Sequence, residues 1–227
     1  PDADAIRVDY RELSPFVVVK KDQALALFHP RKSGRPGKDV RGAEIPMPVR
    51  RPESAEPGQN TRRREDAIVA ARDGRLVENG KELMVEEVLA VKGTVGYKTG
   101  HIVFPGDVII DGSVADGFKV YSGGSIIAKQ TFDATDVIAK KDMLIAGGVI
   151  GRGRASIKAG GGFKAEFVQN CRLAARGSVS ISAAAVNSTI YTLDKLDLGD
   201  KGRIVGCEVY AVHGVRAAGI GTEGGKS

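Results

Sequence analysis

Cysteine and aromatic residues are scarce in this sequence, and its apolar runs are short. The two cysteines, Cys171 and Cys207, are too few for a secreted disulfide framework and match no zinc-ligand spacing, which points to a reducing compartment. No stretch approaches the roughly 20 apolar residues of a membrane-spanning helix, and Pro1 to Asp4 do not begin a charged and then apolar signal peptide. The expected place is therefore the cytoplasm, without membrane insertion. The missing initiator Met and the ending Gly-Thr-Glu-Gly-Gly-Lys-Ser read as a piece cut from a longer chain. The 227 residues suffice for one large β domain or two smaller ones with a substantial core.

What is present is first a lopsided charge. From Arg31 to Arg64 there are ten basic residues against four acidic ones, a surplus equal to the whole net charge of +6. Pro30 to Arg64 also holds six of the nine prolines and shows no sustained apolar periodicity, so residues 31–64 read as a long basic, Pro-rich surface loop. Within it Arg50, Arg51, Arg62, Arg63 and Arg64 are the candidate partner-binding residues.

On either side of that loop the pattern is β. Phe16–Val19 and Ala24–Phe28 flank the polar turn Lys20-Lys21-Asp22-Gln23 and read as a hairpin. Further on, Asp73-Gly74 and Asn79-Gly80 are short-range hairpin signals, because both central residues of a type I′ turn need positive φ. The first third thus reads as a small antiparallel β domain, residues 1–92, with no helical pattern.

From about residue 100 the chain repeats. Turn positions Asp107, Ser125, Asp142, Gly162, Ser178, Lys195 and Gly214 recur with a mean spacing of about 18 residues. Five residues before each stand Ile102, Val120, Val137, Ile157, Leu173, Ile190 and Val209. One residue after come Val108, Ile126, Met143, Phe163, Val179, Leu196 and Val215, and three after come Ile110, Ala128, Ile145, Ala165, Ile181, Leu198 and Ala217. With 42% of the chain hydrophobic, filling one such column by chance has odds of about two in a thousand.

A strand that returns every 18 residues or so cannot form a hairpin with its predecessor; it must wind round and stack in parallel, as in a solenoid. Glycines near the anchors (Gly106, Gly124, Gly161, Gly177, Gly214) fit corners where positive φ is needed. The coils do not follow the hexapeptide period of left-handed β-helices, so the expected fold is all-β, a right-handed parallel β-helix over residues 93–221, followed by a tail at 222–227.

Several of these residues also carry a resemblance. The run Thr99-Gly100-His101-Ile102-Val103-Phe104-Pro105-Gly106-Asp107-Val108-Ile109-Ile110-Asp111-Gly112-Ser113-Val114, continued by Asp116-Gly117-Phe118-Lys119-Val120, resembles the signature of the flagellar assembly protein A family. Gly147–Gly151, Lys201–Gly206, Val19–Leu25, Gly37–Gly42 and Asp73-Gly74 follow in the family's order. Asp22 departs from the family, which often has Gly there, as do His101, where Asn is common, and Lys141-Asp142, where Gly-Asp is usual. The resemblance implies bacterial β-helix proteins linked to flagellar assembly and polar localisation, with no established chemistry.

Catalytic readings are weak beside this. His29, His101 and His213 sit in three separate contexts without a nucleophile or a second metal ligand. Asp107, Asp111, Asp116, Asp133, Asp136 and Asp142 would have to align as in β-helix lyases, whereas Asp also serves turns by accepting backbone N–H bonds. Cys171 and Cys207 fall two coils apart, near 9.6 Å by strand spacing, too far to bond, and are expected as small buried side chains. Gly225-Lys226-Ser227 lacks the strand-loop-helix context of a phosphate loop, and Lys20-Lys21 lacks the flanks of a lipoylated lysine.

No catalytic residue, cofactor or metal is expected. The leading reading is a non-enzymatic scaffold in flagellar assembly or cell-pole organisation, with an unknown protein partner and self-association through an end of the β-helix. The alternative is a nucleic-acid-binding protein using the Arg-rich loop, against which stand seven Phe, five Tyr and no recognisable nucleic-acid module. The third is a β-helix carbohydrate-active enzyme.

Overall fold

The computed structural model describes residues 14–29, 35–46, 54–133 and 136–221. Among these all regular structure is β, in two compact units: one is Val19–Glu86, and the other takes Glu87 onward together with the residues up to Val18. The tail expected at 222–227, with its Gly-Lys-Ser, lies outside the described residues, as do Arg50 and Arg51.

The unit from Glu87 is the parallel β-helix. Its coils present three faces, and two of the predicted columns map onto continuous ladders, while the column from Ile110 to Ala217 is paired only in parts. The first face stacks Val88–Val91, Asp107–Ile110, Ile126–Ala128 and Met143–Ile145 and continues to Val215–Arg216. Here Val108, Ile126, Met143, Phe163, Val179, Leu196 and Val215 are partners in unbroken register. The second face stacks Ile102, Val120, Val137, Ile157, Leu173, Ile190 and Val209 in the same way. All strands run parallel, so every inward aliphatic sits over its counterpart about 4.8 Å away. One buried cluster runs through the coils.

The third face is not among the predicted columns. Val95, Val114, Phe132 and Val149 meet as isolated parallel bridges, and the line continues through Val168, Ala185, Ile204 and Ile220. Its members are buried as far as Ile204, and Phe132 is among the largest fully buried side chains.

Glycine serves the corners differently from the expectation. Of the five anchor glycines only Gly214 has positive φ, at 103°. Gly106, Gly124 and Gly161 are needed for close approach: a Cβ on each would overlap an oxygen of the preceding coil, from Glu87, Asp107 and Asp142 respectively. Other left-handed residues include Arg152, Asn170, Asn187 and Gly206 beside the third face. Two buried hydroxyls on the second face are satisfied in place: Ser122 donates to Gly106 O and Thr192 to Gly177 O, both at 2.7 Å, which avoids the penalty of an unpaired buried polar group.

In the N-terminal unit the predicted hairpin at 16–28 does not form. Val18–Val19 joins a sheet with Gly74–Asn79, Glu82–Glu86 and Glu56–Pro57, whereas Ala24–Leu27 joins Ala67–Ala70 and Thr61–Arg64 in another. The turn Lys20–Gln23 therefore hands the chain from one sheet to the other. The Asp73-Gly74 turn does the same in the opposite direction, and Asp73 accepts the N–H of Lys21 at 2.7 Å.

Asn79 and Glu82 are paired, so the tight turn of this hairpin is Gly80-Lys81, with positive φ at Gly80 alone; this is the II′ pattern rather than I′. The segment read as a basic loop is in part strand, at Gly37–Lys38, Glu44–Ile45, Glu56–Pro57 and Thr61–Arg64. The parallel ladder opens at Val88, inside the stretch expected to be N-terminal, because Val88–Val91 pairs with Asp107–Ile110.

Candidate functional site

Arg62, Arg63 and Arg64 lie on the edge strand of a three-stranded sheet, paired only with Ala67–Ala70. A charged run there blunts an edge that would otherwise invite another strand. Strand alternation sends Arg62 and Arg64 to one side, where both pair with Asp22, Arg64 at 3.4 Å. Arg63 goes to the other and places its guanidinium 4.4 Å over the Phe28 ring. Two of the three cations thus share one counter-charge, and the third is stacked. Asp22 itself sits at φ 66°, which accounts for the glycine common in the resembled family; here the carboxylate ties the turn to the arginine strand.

The candidate catalytic groups are dispersed. His29 is exposed. His101 accepts the N–H of Lys119 at 3.1 Å and packs edge-on against Phe118. His213 lies 3.3 Å from Asp194. Asp107 and Asp142 accept the backbone N–H of Ser125 and Gly162, each at 2.7 Å, the turn role. The other four acids are matched to cations of other coils: Asp111 with Lys129 at 2.7 Å, Asp116 with Arg154 at 2.8 Å, Asp133 with Arg152 and Asp136 with Lys119 at 3.8 Å. Among the described residues no three His, Cys, Asp or Glu side chains are grouped to hold a metal.

Cys171 and Cys207 flank Ser188 in one column. Ser188 Oγ accepts the N–H of Cys171 at 3.2 Å, and the Ser188 N–H points to Cys207 Sγ at 3.4 Å. Both thiols are free. Burial pushes the Cys171 thiol up to about 12, against a smaller opposing effect from Ser188; burial also raises Cys207. A thiol held neutral is a poor nucleophile.

A groove of about 880 Å³ lies on the outer side of the second face, crossing five coils. Its spine is the outward ladder Ile138, Lys158, Ala174, Tyr191 and Tyr210, partners in register. Tyr191 and Tyr210 stack with ring centroids 4.8 Å apart and planes 7° from parallel. Beside the spine runs a corner row of Lys140, Gly160, Arg176, Leu193 and Val212, with Leu193 61% and Val212 66% exposed. None of these positions figured among the candidates. Their readable signal was the residue four before each anchor, which includes Tyr121, Ile138, Tyr191 and Tyr210 at a place where alternation calls for polar side chains.

Compared with known proteins, residues 87–227 match the family model Flagellar Assembly Protein A beta solenoid domain, and residues 1–81 match Flagellar Assembly Protein A N-terminal region. No curated protein and no solved structure matches the chain.

Proposed function

This chain belongs to the flagellar assembly protein A family, and from that membership we propose that it is a non-enzymatic scaffold acting in flagellar assembly or cell-pole organisation, in the cytoplasm, by binding protein partners. The observation that carries the reading is where the polar side chains go. Asp107 and Asp142 cap backbone of the next coil, and Asp111, Asp116, Asp133 and Asp136 are matched one to one with cations. Catalysis needs several such groups converging on one pocket; here they reinforce the stacking of coils and leave extended outer faces open for contact. No helix among the described residues is long and apolar enough to cross a membrane.

The test is deletion of the gene in the host bacterium, with complementation by the full-length protein. Loss or misplacement of flagella, restored by the wild type, is the expected result. Normal flagella in the deletion strain would sink the proposal.

A second reading, self-association through the end of the β-helix, is favoured by the last rungs. Val215 and Ile220 on Val215–Arg216 and Gly219–Ile220 are 45% and 78% exposed; among the described residues these strands are paired on one side only, and such an edge is a template for another chain. Sedimentation of the full-length protein over a concentration series checks it.

A further inference from the structure

We propose that the groove on the second face is a docking slot for an aromatic side chain carried by an acidic, extended segment of a partner protein. The inference rests on the scaffold reading and specifies its contact. In register along the outward ladder, Tyr191 has Tyr210 against one ring face and Ala174 one coil away on the other side. Lys158 comes one coil beyond Ala174. Ala174 is therefore a missing rung between a tyrosine ring and a lysine, which stand two strand spacings apart, about 9.6 Å. In the neighbouring row Gly160 leaves the side of Lys158 open, and Arg176 stands beside Ala174. A single aromatic ring seated over Ala174 continues the Tyr191–Tyr210 stack and receives the Lys158 ammonium on its other face, a cation–π contact.

Charge decides the character of the rest of the ligand. Lys140, Lys158 and Arg176 rim the slot, and no carboxylate lines it. Among the described residues none of the three is in an ion pair, although the neighbouring coils match their acids to cations one by one. An acidic ligand supplies the missing partners. The exposed walls Leu193 and Val212 and the half-buried Ile138 favour a peptide over a polynucleotide, because aliphatic side chains cover them while phosphates would leave them wet. Five coils span about 19 Å, the reach of about six extended residues.

The experiment is a fluorescence-anisotropy titration of the full chain with the labelled peptide Glu-Asp-Phe-Glu-Asp-Ala, compared with the same peptide carrying Ala for Phe and with an oligo-dT of twelve nucleotides. Two surface variants go beside the wild type. Ala174→Tyr fills the missing rung and Arg176→Glu reverses the rim, and unchanged melting temperatures show that both fold. The expected result is saturable binding of the Phe peptide, weakened at least tenfold by either variant and by the Phe-to-Ala change. No binding, or equal binding by wild type and variants, overturns the proposal. Preferential binding of oligo-dT that Ala174→Tyr abolishes also overturns it, in favour of a nucleotide slot. Any of these failures leaves the scaffold reading standing, since that reading is decided by flagellation in the deletion strain.

Discussion

The carboxylate of Asp107 reaches one coil forward to accept the backbone N–H of Ser125 at 2.7 Å, and its Oδ1 occupies the space that a Cβ on Gly124 would need. Asp142 repeats the device with Gly162 and Gly161. Glycine and aspartate are thus one unit split between two coils. Gly124→Ala should cost about 1–3 kcal/mol as an overpacking change, and Asp107→Ala about 1.5–3 kcal/mol for the lost charged hydrogen bond. Because both act through the same oxygen, the glycine substitution should cost less in the Asp107→Ala background. Urea unfolding of the four proteins measures this, and equal costs in both backgrounds would sink the idea.

Ile126 and Ile127 are chain neighbours with opposite fates: the first is fully buried between Val108 and Met143, and the second is 42% exposed. Ile126→Asp should abolish folding of the β-helix, since it strands a charge in an apolar stack. Ile127→Asp should shift stability by less than about 1 kcal/mol. Circular dichroism melts separate the two, and a cooperative, near-wild-type melt of Ile126→Asp would contradict the inward assignment.

Two of the three β-helix faces were legible in the sequence because each sends an apolar side chain inward at a fixed offset from a turn, as Ile102 to Val209 do. The third was not: through its first coils it contributes single residues such as Val95, Val114 and Phe132 as isolated bridges, with no strand-length alternation around them. The N-terminal hairpin was misread because local pattern gives strands without their partners; Val19 and Leu25 flank one turn yet belong to different sheets. The strand Thr61–Arg64 carries no apolar residue at all, so periodicity had nothing to detect. The groove stayed hidden because Lys158, Ala174 and Tyr191 have nothing in common as residue types. Only the register makes Ala174 a gap between the other two.

Burial holds the Cys171 proton far above its ordinary value of 9.0, to about 12. In the unfolded chain the thiol ionises near its ordinary value, so between about pH 9 and 12 the unfolded state binds fewer protons than the folded one and stability falls as pH rises. Cys171→Ser should flatten that decline, apart from its own packing cost. Alkylation by iodoacetamide at pH 8, read by mass spectrometry, should mark the half-buried Cys207 before Cys171. Equal labelling rates in the native protein would show that the thiol is not shielded.

Arg62 and Arg64 share Asp22, and Arg63 lies over Phe28, so the arginine strand is already engaged within its own unit. A nucleic-acid site would use these three cations to release counterions. For single strands each phosphate contact contributes about 0.7 to the slope of log affinity against log salt, so replacing all three by alanine would lower the slope by about 2. The scaffold reading expects instead that any binding to a generic 30-nucleotide RNA is weak and that the triple variant leaves its slope unchanged. Asp22→Asn gives an independent arm. It removes the counter-charge from Arg62 and Arg64 while keeping an amide side chain at φ 66°, a conformation that Asn tolerates well. Were the arginines a nucleic-acid site held in check by Asp22, this variant would bind RNA more tightly and with a steeper slope. A filter-binding series from 50 to 300 mM salt therefore decides between the two readings, and a steepened slope in Asp22→Asn together with a loss of about 2 in the triple variant would return the basic strand to first place.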